Sequence, residues 1–379
     1  MEFARGAIGL WLPSCLLFIL LAGCGGGGSD ANASAPPSAS ATRYHSTDAI
    51  IPTSGLDVPD GQSLDQTVTT LLKKWDVVGA TFAIAKNGRQ IFARGYGYSD
   101  YEARQVMQPD AMMRIASISK ALTGLAILRL KDEGLLRLEE RMVDILPEYP
   151  LPAGADARLR DITITHLLQH SAGWDRRISG DPFNQVATIA NSLGLDKPAL
   201  CPDMIRYMLG RPLDFTPGTR FAYSNFGFCV LGRIVEKVSG QPYELYVRDH
   251  VLAPADVHAM SIGKSHANER GQFEVKYYMY IGAPPVQSLF PGEGRVPAPY
   301  STEVLTADSA AGWIASAIDL TRVMTAVDGS RVAQLLTPET MQLYIADPHL
   351  PGWSDPRYWG GLGILVGPTP TTWYADGVG

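Results

Sequence analysis

The chain has 379 residues, 46% of them hydrophobic and 18% charged, enough apolar mass to bury one large core or two closely packed lobes. With 32 basic against 38 acidic residues the formal net charge is −6, and no run of Lys or Arg supplies the electrostatic footprint that a nucleic-acid partner needs. Nucleic-acid binding is therefore set aside.

At the N-terminus, Arg5 precedes an apolar run over residues 7–22 that contains Pro13 and ends in Leu21-Ala22-Gly23-Cys24. A positive start, an apolar stretch and a small-residue cleavage site describe a secretory signal, and a cysteine at this place resembles a bacterial lipobox. Residues 1–23 are expected to be a lipoprotein signal peptide, with Cys24 as the lipid-bearing residue. The run is short for a membrane span and Pro weakens it further; an uncleaved signal anchor is the alternative. The protein is thus expected in a bacterial cell envelope, held to the membrane by a lipid anchor and facing the periplasm or the exterior. Residues 24–58, rich in Gly, Ser, Ala and Pro, carry too little apolar surface to offset the entropy of ordering and read as a flexible linker.

The folded part is expected over residues 59–379. Leu64, Val68, Leu71, Leu72 and Trp75 recur at helical spacing, with Asp60 or Ser63 placed to cap. Thr81-Phe82-Ala83-Ile84-Ala85 and Arg89-Gln90-Ile91-Phe92 flank Asn87-Gly88, the signature of a tight turn joining antiparallel strands. Residues 117–133 are apolar at most positions and stop at Gly134, which predicts a buried helix central to the fold. Short helical pieces follow at 163–168 and 201–209, and an amphipathic helix runs from Phe226 to a stop at Gly240. Long β-prone runs return only at 273–281 and 361–366. Helices inserted between early and late strands give an α+β fold, with the helical lobe at about 135–270. Cys15 leaves with the signal and Cys24 takes the lipid, so Cys201 and Cys229 remain; they form either a disulfide or two buried thiols.

Ser117-Ile118-Ser119-Lys120 is an S-x-x-K arrangement, and so is Ser261-Ile262-Gly263-Lys264. Only the first opens a long apolar helix, where the i,i+3 relation puts Lys120 on the face of Ser117 one turn on. A lysine desolvated in an apolar wall loses proton affinity and serves as a base for the serine hydroxyl, while the N–H groups at the helix start favour developing negative charge. The plainer reading makes Ser117 a helix cap and Lys120 a snorkelling surface residue. About a hundred residues on, Tyr223-Ser224-Asn225 stands directly ahead of the amphipathic helix; Asn225 alone could be that helix's N-cap and Tyr223 an ordinary buried phenol. His170 is expected to pack and hydrogen-bond within its own turn.

With Leu167-Leu168-Gln169-His170-Ser171-Ala172-Gly173 between these motifs and Ala311-Gly312-Trp313-Ile314-Ala315 after them, the chain resembles the serine β-lactamase superfamily, in its branch of class C β-lactamases, family VIII esterases and D-Ala-D-Ala carboxypeptidases. The resemblance covers roughly residues 60–379. It implies a β-lactamase-like antiparallel sheet flanked by helices with an inserted all-α lobe, no cofactor and no metal. It also implies Ser117 as nucleophile, Lys120 as its activator, Tyr223 as the proton carrier to the leaving group, and Asn225 as a substrate-orienting residue. The family's third motif, K-T-G or H-x-G, corresponds to Ala375-Asp376-Gly377, which puts Gly377 at the substrate edge and Ala375 where a Lys or His is expected. Either the motif is degenerate or the sheet closes beyond residue 379; the latter is the expectation, and it leaves an apolar strand edge over residues 362–366.

An α/β-hydrolase would need a G-x-S-x-G elbow, which is absent, and a zinc hydrolase clustered ligands, whereas the 7 histidines are scattered. The expected activity is hydrolysis of small esters, β-lactams or peptidoglycan-derived D-amino peptides through an acyl-serine; the alternative is a catalytically weak penicillin-binding-like lipoprotein that binds peptidoglycan or a partner. Replacement Cys24→Ser should move the protein from the membrane to the soluble fraction on cell fractionation. Continued membrane association would return the N-terminal run to a signal anchor.

Overall fold

The computed structural model describes residues 16–21, 50–59, 61–280, 282–331, 334–352, 359–367 and 373–377. Cys24 lies outside them. The principal sheet is built from β1 (Leu16–Leu21), β2 (Thr53–Ser54), β3 (Gly79–Lys86), β4 (Arg89–Asp100) and β5 (Gln105–Val106), in the order β1-β3-β4-β2 with β5 on β4, all antiparallel. Asn87 and Gly88 have φ of 52° and 71°, the paired positive values that a two-residue hairpin requires. The six residues of β1 belong to the run read as a signal peptide; here they pair with β3 along its edge, from Leu16 opposite Ala85 to Leu21 opposite Ala80. A chain cleaved before Cys24 gives up this strand.

Helix α1 (Gln62–Trp75) lies on one face of the sheet, where Val68 and Leu72 pack with Ile51, Phe82, Phe92 and Tyr96. Its N-cap is Gly61, without a side-chain cap; Ser63 sits inside the first turn and Asp60 falls outside the described residues. The second face receives the main core, organised about α2 (Ser119–Asp132). Leu122, Leu125, Ala126, Ile127, Leu128 and Leu130 are at most 2% exposed, and a helix apolar on all sides is stable only with partners all round. Each such Leu or Ile taken from water contributes about 1.5–3 kcal/mol.

Those partners come from the helical lobe. Helices α3 (Met142–Ile145), α4 (Ile164–Leu168), α5 (Val186–Ser192), α6 (Cys201–Met208), α7 (Asn225–Ser239) and α8 (Tyr243–Val247) precede β7 (Ser261–Ile262). The latter joins a small sheet with β6 (Met113–Arg114) and the later β10 (Trp313–Ala315), in the order β6-β10-β7. A hairpin of β8 (Val286–Gln287) and β9 (Arg295–Val296) follows, then α9 (Asp308–Ala311), which packs on α2 and α7, and α10 (Ala317–Val327), which packs on β3. The chain continues through α11 (Pro338–Ile345) to a three-stranded antiparallel sheet, β11 (Trp359–Gly360), β12 (Leu365–Val366) and β13 (Trp373–Tyr374). This is the β-lactamase-like α+β arrangement. Among the described residues no helix is long and apolar enough to cross a membrane.

Two expectations about late strands need correction. Residues 273–280 form no strand: Met112 and Glu274 make one isolated bridge, while the Tyr277 N–H donates to the Tyr300 hydroxyl at 2.9 Å. Scattered backbone bonds, from the Met112 N–H to Phe273 O, from the Val275 N–H to Met112 O and from the Lys276 N–H to Ser99 O in β4, serve the segment without building a ladder; Ile281 is outside the described residues. The strand within residues 362–366 is not an edge either, because β12 is the middle strand of its sheet, paired with β11 on one side and β13 on the other.

Cys201, the first residue of α6, and Cys229 within α7 are joined in a disulfide with Cα atoms 5.7 Å apart and a sequence separation of 28. Closing a loop of that length restricts the unfolded chain by about 3 kcal/mol. The double variant Cys201→Ala, Cys229→Ala should therefore melt well below the parent in differential scanning calorimetry under non-reducing conditions. An unchanged melting temperature would mean that the two thiols are not bridged.

Candidate active site

The nucleophile's position is set by a sharp change of direction. Strand β6 ends at Arg114, the Ile115 N–H is fixed by Trp313 O at 3.0 Å, and Ala116 takes φ of +43° before a 3₁₀ turn over Ala116–Ile118 leads into α2. A left-handed alanine costs about 1–2 kcal/mol, held here by the buried strand before it and the buried helix after it. Ser117 thereby stands at the head of the helical run, with its N–H among those that precede the helical ladder.

One turn on, Lys120 is 4% exposed. Its Nζ is 3.0 Å from Ser117 Oγ, 2.8 Å from Asn225 Oδ1 and 2.8 Å from Ala310 O. Burial drives its pKa down from the usual lysine range to about 7; Asp181 opposes this, Arg176 reinforces it and Asp376 opposes it. The geometry fits both protonation states. A neutral amine donates its two N–H bonds to Asn225 Oδ1 and Ala310 O and keeps its lone pair for the Ser117 hydroxyl.

Tyr223 donates to Ser117 Oγ at 2.6 Å. Burial raises its pKa, so the phenol keeps its proton at neutral pH. His170 stacks on the Tyr223 ring at 4.6 Å and accepts the Ser224 N–H at Nδ1, 3.1 Å away. That bond crosses 54 residues and is not the contact within its own turn that the sequence suggested. Desolvation pushes the His170 pKa down to about 3, with the neighbouring Lys120 adding to it; it is a neutral spacer that fixes the Tyr223 ring. The guanidinium of Arg176 also lies over that ring, 4.7 Å from its centroid.

Asn225 is the first residue of α7, but the N-cap is Ser224, whose hydroxyl accepts the Gly227 N–H at 3.2 Å. The Asn225 side chain is free to reach inward. Its Nδ2 donates to Asp181 Oδ2 at 2.7 Å, which turns Oδ1 toward Lys120.

The opposite wall comes from the end of the described chain. The segment after β13 brings Ala375 and Asp376 to a cavity of about 430 Å³, lined also by Leu168, Phe221, Ile364 and Leu365 as well as by Ser117, Lys120, Tyr223 and Asn225. Gly377 runs so close to the nucleophile's turn that a Cβ there would collide with Ile115 O and lie 3.0 Å from Ser117 N. Gly124 permits a similar approach: a Cβ on it would be 2.6 Å from Leu362 O, so glycine is what lets the late loop rest on α2.

The structure thus brings Ser117, Lys120, Tyr223, Asn225 and Gly377 together. The second S-x-x-K pair does not join them, since Ser261 is in β7 and Lys264 is exposed beyond it. Three contributors escaped the sequence: Asp181, Arg176 and the Ala310 carbonyl. Asp181-Pro182 signals only a turn, and a backbone carbonyl has no residue signature. Among the described residues, no group of three or more His, Cys, Asp or Glu side chains is placed to hold a metal ion.

The family model described as Beta-lactamase matches residues 64–379 of the chain. The chain belongs to that family. It is similar to Protein flp of Staphylococcus aureus strain MW2, 31% identical over 227 residues that make up 60% of this chain and 43% of that protein. It is also similar to Esterase EstB of Burkholderia gladioli, 33% identical over 194 residues, 50% of this chain and 48% of the esterase. The chain therefore spans a little under half the length of these curated relatives. Among solved structures, the octameric penicillin-binding protein homologue from Pyrococcus abyssi superposes with a TM-score of 0.61 at 26% identity, covering 82% of this chain and 66% of that one.

Proposed function

We propose that this protein is a serine hydrolase that cleaves small esters through an acyl-enzyme on Ser117, with β-lactams and D-amino peptides as further substrates of the same chemistry. The observation that carries the reading is the position of Ser117 Oγ, 3.0 Å from a lysine amine and 2.6 Å from a phenol that donates to it. The ester preference is supported by the apolar lining of Leu168, Phe221, Ile364 and Leu365 and by the likeness to an esterase.

Neutral Lys120 takes the hydroxyl proton as Oγ attacks the carbonyl carbon, and the oxyanion forms beside the Ser117 N–H. Tyr223, protonated because it is buried, gives its proton to the leaving oxygen as the ester bond breaks; Lys120, with Nζ 5.0 Å from the Tyr223 ring centroid, returns a proton to the phenol. Water then attacks the acyl-serine with the same groups acting in reverse, releasing the acid and restoring Ser117. The lipid on Cys24, supported by Leu21-Ala22-Gly23-Cys24, would hold this activity at the outer side of a bacterial membrane.

Because the base must be neutral, kcat/KM for a short-chain aryl ester should rise with pH through about 7, where Lys120 loses its proton. Lys120→Arg keeps the charge and removes the base, and should lower kcat/KM by about 10²–10⁴ with the melting temperature nearly unchanged. Retained hydrolysis in that variant would take Lys120 out of the mechanism. A folded parent that never acylates would favour a binding protein, a reading for which Ala375 in the cavity wall is the support.

A further inference from the structure

Asp181 lies 44 residues before Asn225 in sequence, on a turn between α4 and α5, and is only 6% exposed. A buried carboxylate this close to a proposed catalytic lysine invites a functional account, because its desolvation must be offset by specific partners. Two are present. Its Oδ1 accepts the Phe183 N–H at 3.1 Å, capping the short 3₁₀ turn Pro182–Asn184, and its Oδ2 accepts from Asn225 Nδ2 at 2.7 Å.

The second bond has a consequence beyond its own strength. An amide can present either its oxygen or its nitrogen to a neighbour, and the two choices differ by a half-turn about one bond. An ionised carboxylate only accepts, so Asp181 admits the Asn225 nitrogen and repels its oxygen. Asn225 Oδ1 must then face Lys120 Nζ, 2.8 Å away. With the opposite orientation, an N–H donor would confront the ammonium, and the lysine would lose one of the two acceptors that hold its hydrogens away from Ser117.

We propose that Asp181 is a positioning residue for the acylation step: it locks the Asn225 amide so that its oxygen faces the lysine that deprotonates Ser117. The proposal rests on Lys120 acting as the base. The charged and titratable groups around the lysine are Asp181 from the turn before α5, Arg176 and His170 from the loop after α4, Tyr223 before α7, and Asp376 after β13. His170 is neutral, Arg176 lowers the lysine's proton affinity, and Asp181 and Asp376 raise it. Removing Asp181 therefore moves Lys120 further down, both directly and by releasing the amide.

The test is the pH profile of kcat/KM for an aryl ester in Asp181→Asn and Asp181→Ser, the serine being chosen because its hydroxyl can still cap the 182–184 turn. In both, the acidic limb should shift to lower pH by about one unit. The plateau should fall about tenfold or more, as is usual when a partner that orients a ligating or catalytic group is lost. Asp181→Glu should return the limb toward the parent. Combined with Asn225→Ala, the Asp181→Asn effect should be far from additive, because one residue acts through the other. A limb that stays at the parental pH in folded Asp181→Ser, or additive losses in the double variant, would overturn the role of Asp181. Ester hydrolysis retained in Lys120→Arg would instead overturn the mechanism on which it rests, so the two failures are distinguishable.

Discussion

The burial of a single amine organises this structure. Lys120 stands in the first turn of a helix packed on all sides, and water cannot solvate its charge there. Three acceptors replace that water: the Ser117 hydroxyl, the Asn225 side-chain oxygen and the Ala310 carbonyl. They come from the 3₁₀ turn that leads into α2, from α7 and from α9, which meet along the core. The site therefore exists only if the main core is assembled, and the lysine's lowered proton affinity is a property of the fold more than of its sequence neighbours.

The same dependence explains how activation and stability are kept apart. Around the lysine the polar groups are paired: Asn225 with Asp181, His170 with the Ser224 N–H, Tyr223 with Ser117. Buried polar groups left without partners would cost about 1–3 kcal/mol each, so a network joined at every member is what allows a charge-bearing site inside an apolar core. Two non-glycine residues of the site adopt left-handed backbone: Ala116, where the chain turns to present the serine, and His170, which stacks on Tyr223. The glycines at 124 and 377 complete the design by letting late segments close over the helix and against the nucleophile's turn.

Much of this could be read in the sequence because its periodicity and spacing are local. An S-x-x-K at the head of an apolar helix places serine and lysine on one face, Asn87-Gly88 forces a hairpin, and Gly240 stops α7 with φ of 70°. The choice between the two S-x-x-K pairs was also decidable, since only one precedes a helix able to bury a lysine. The long-range pairings were not legible. Asp181 offers a turn signature and nothing that ties it to Asn225; Asn225 looked as much like a cap as a contact until Ser224 took the cap. The β-prone run at 273–280 meets Met112 and Ser99 through scattered backbone bonds only, too few to make a ladder. In each instance the deciding partner is distant along the chain, and propensity yields to what tertiary packing supplies.

Peptide mapping by mass spectrometry after reaction with a fluorophosphonate ester, followed across pH, bears most directly on the desolvated lysine as the source of nucleophilicity. The phosphonyl adduct should fall on Ser117 alone, with a labelling rate that climbs as pH passes through about 7, the value to which burial brings Lys120. Modification at Ser261, or a Ser117 rate with no inflection in that range, would contradict the assignment.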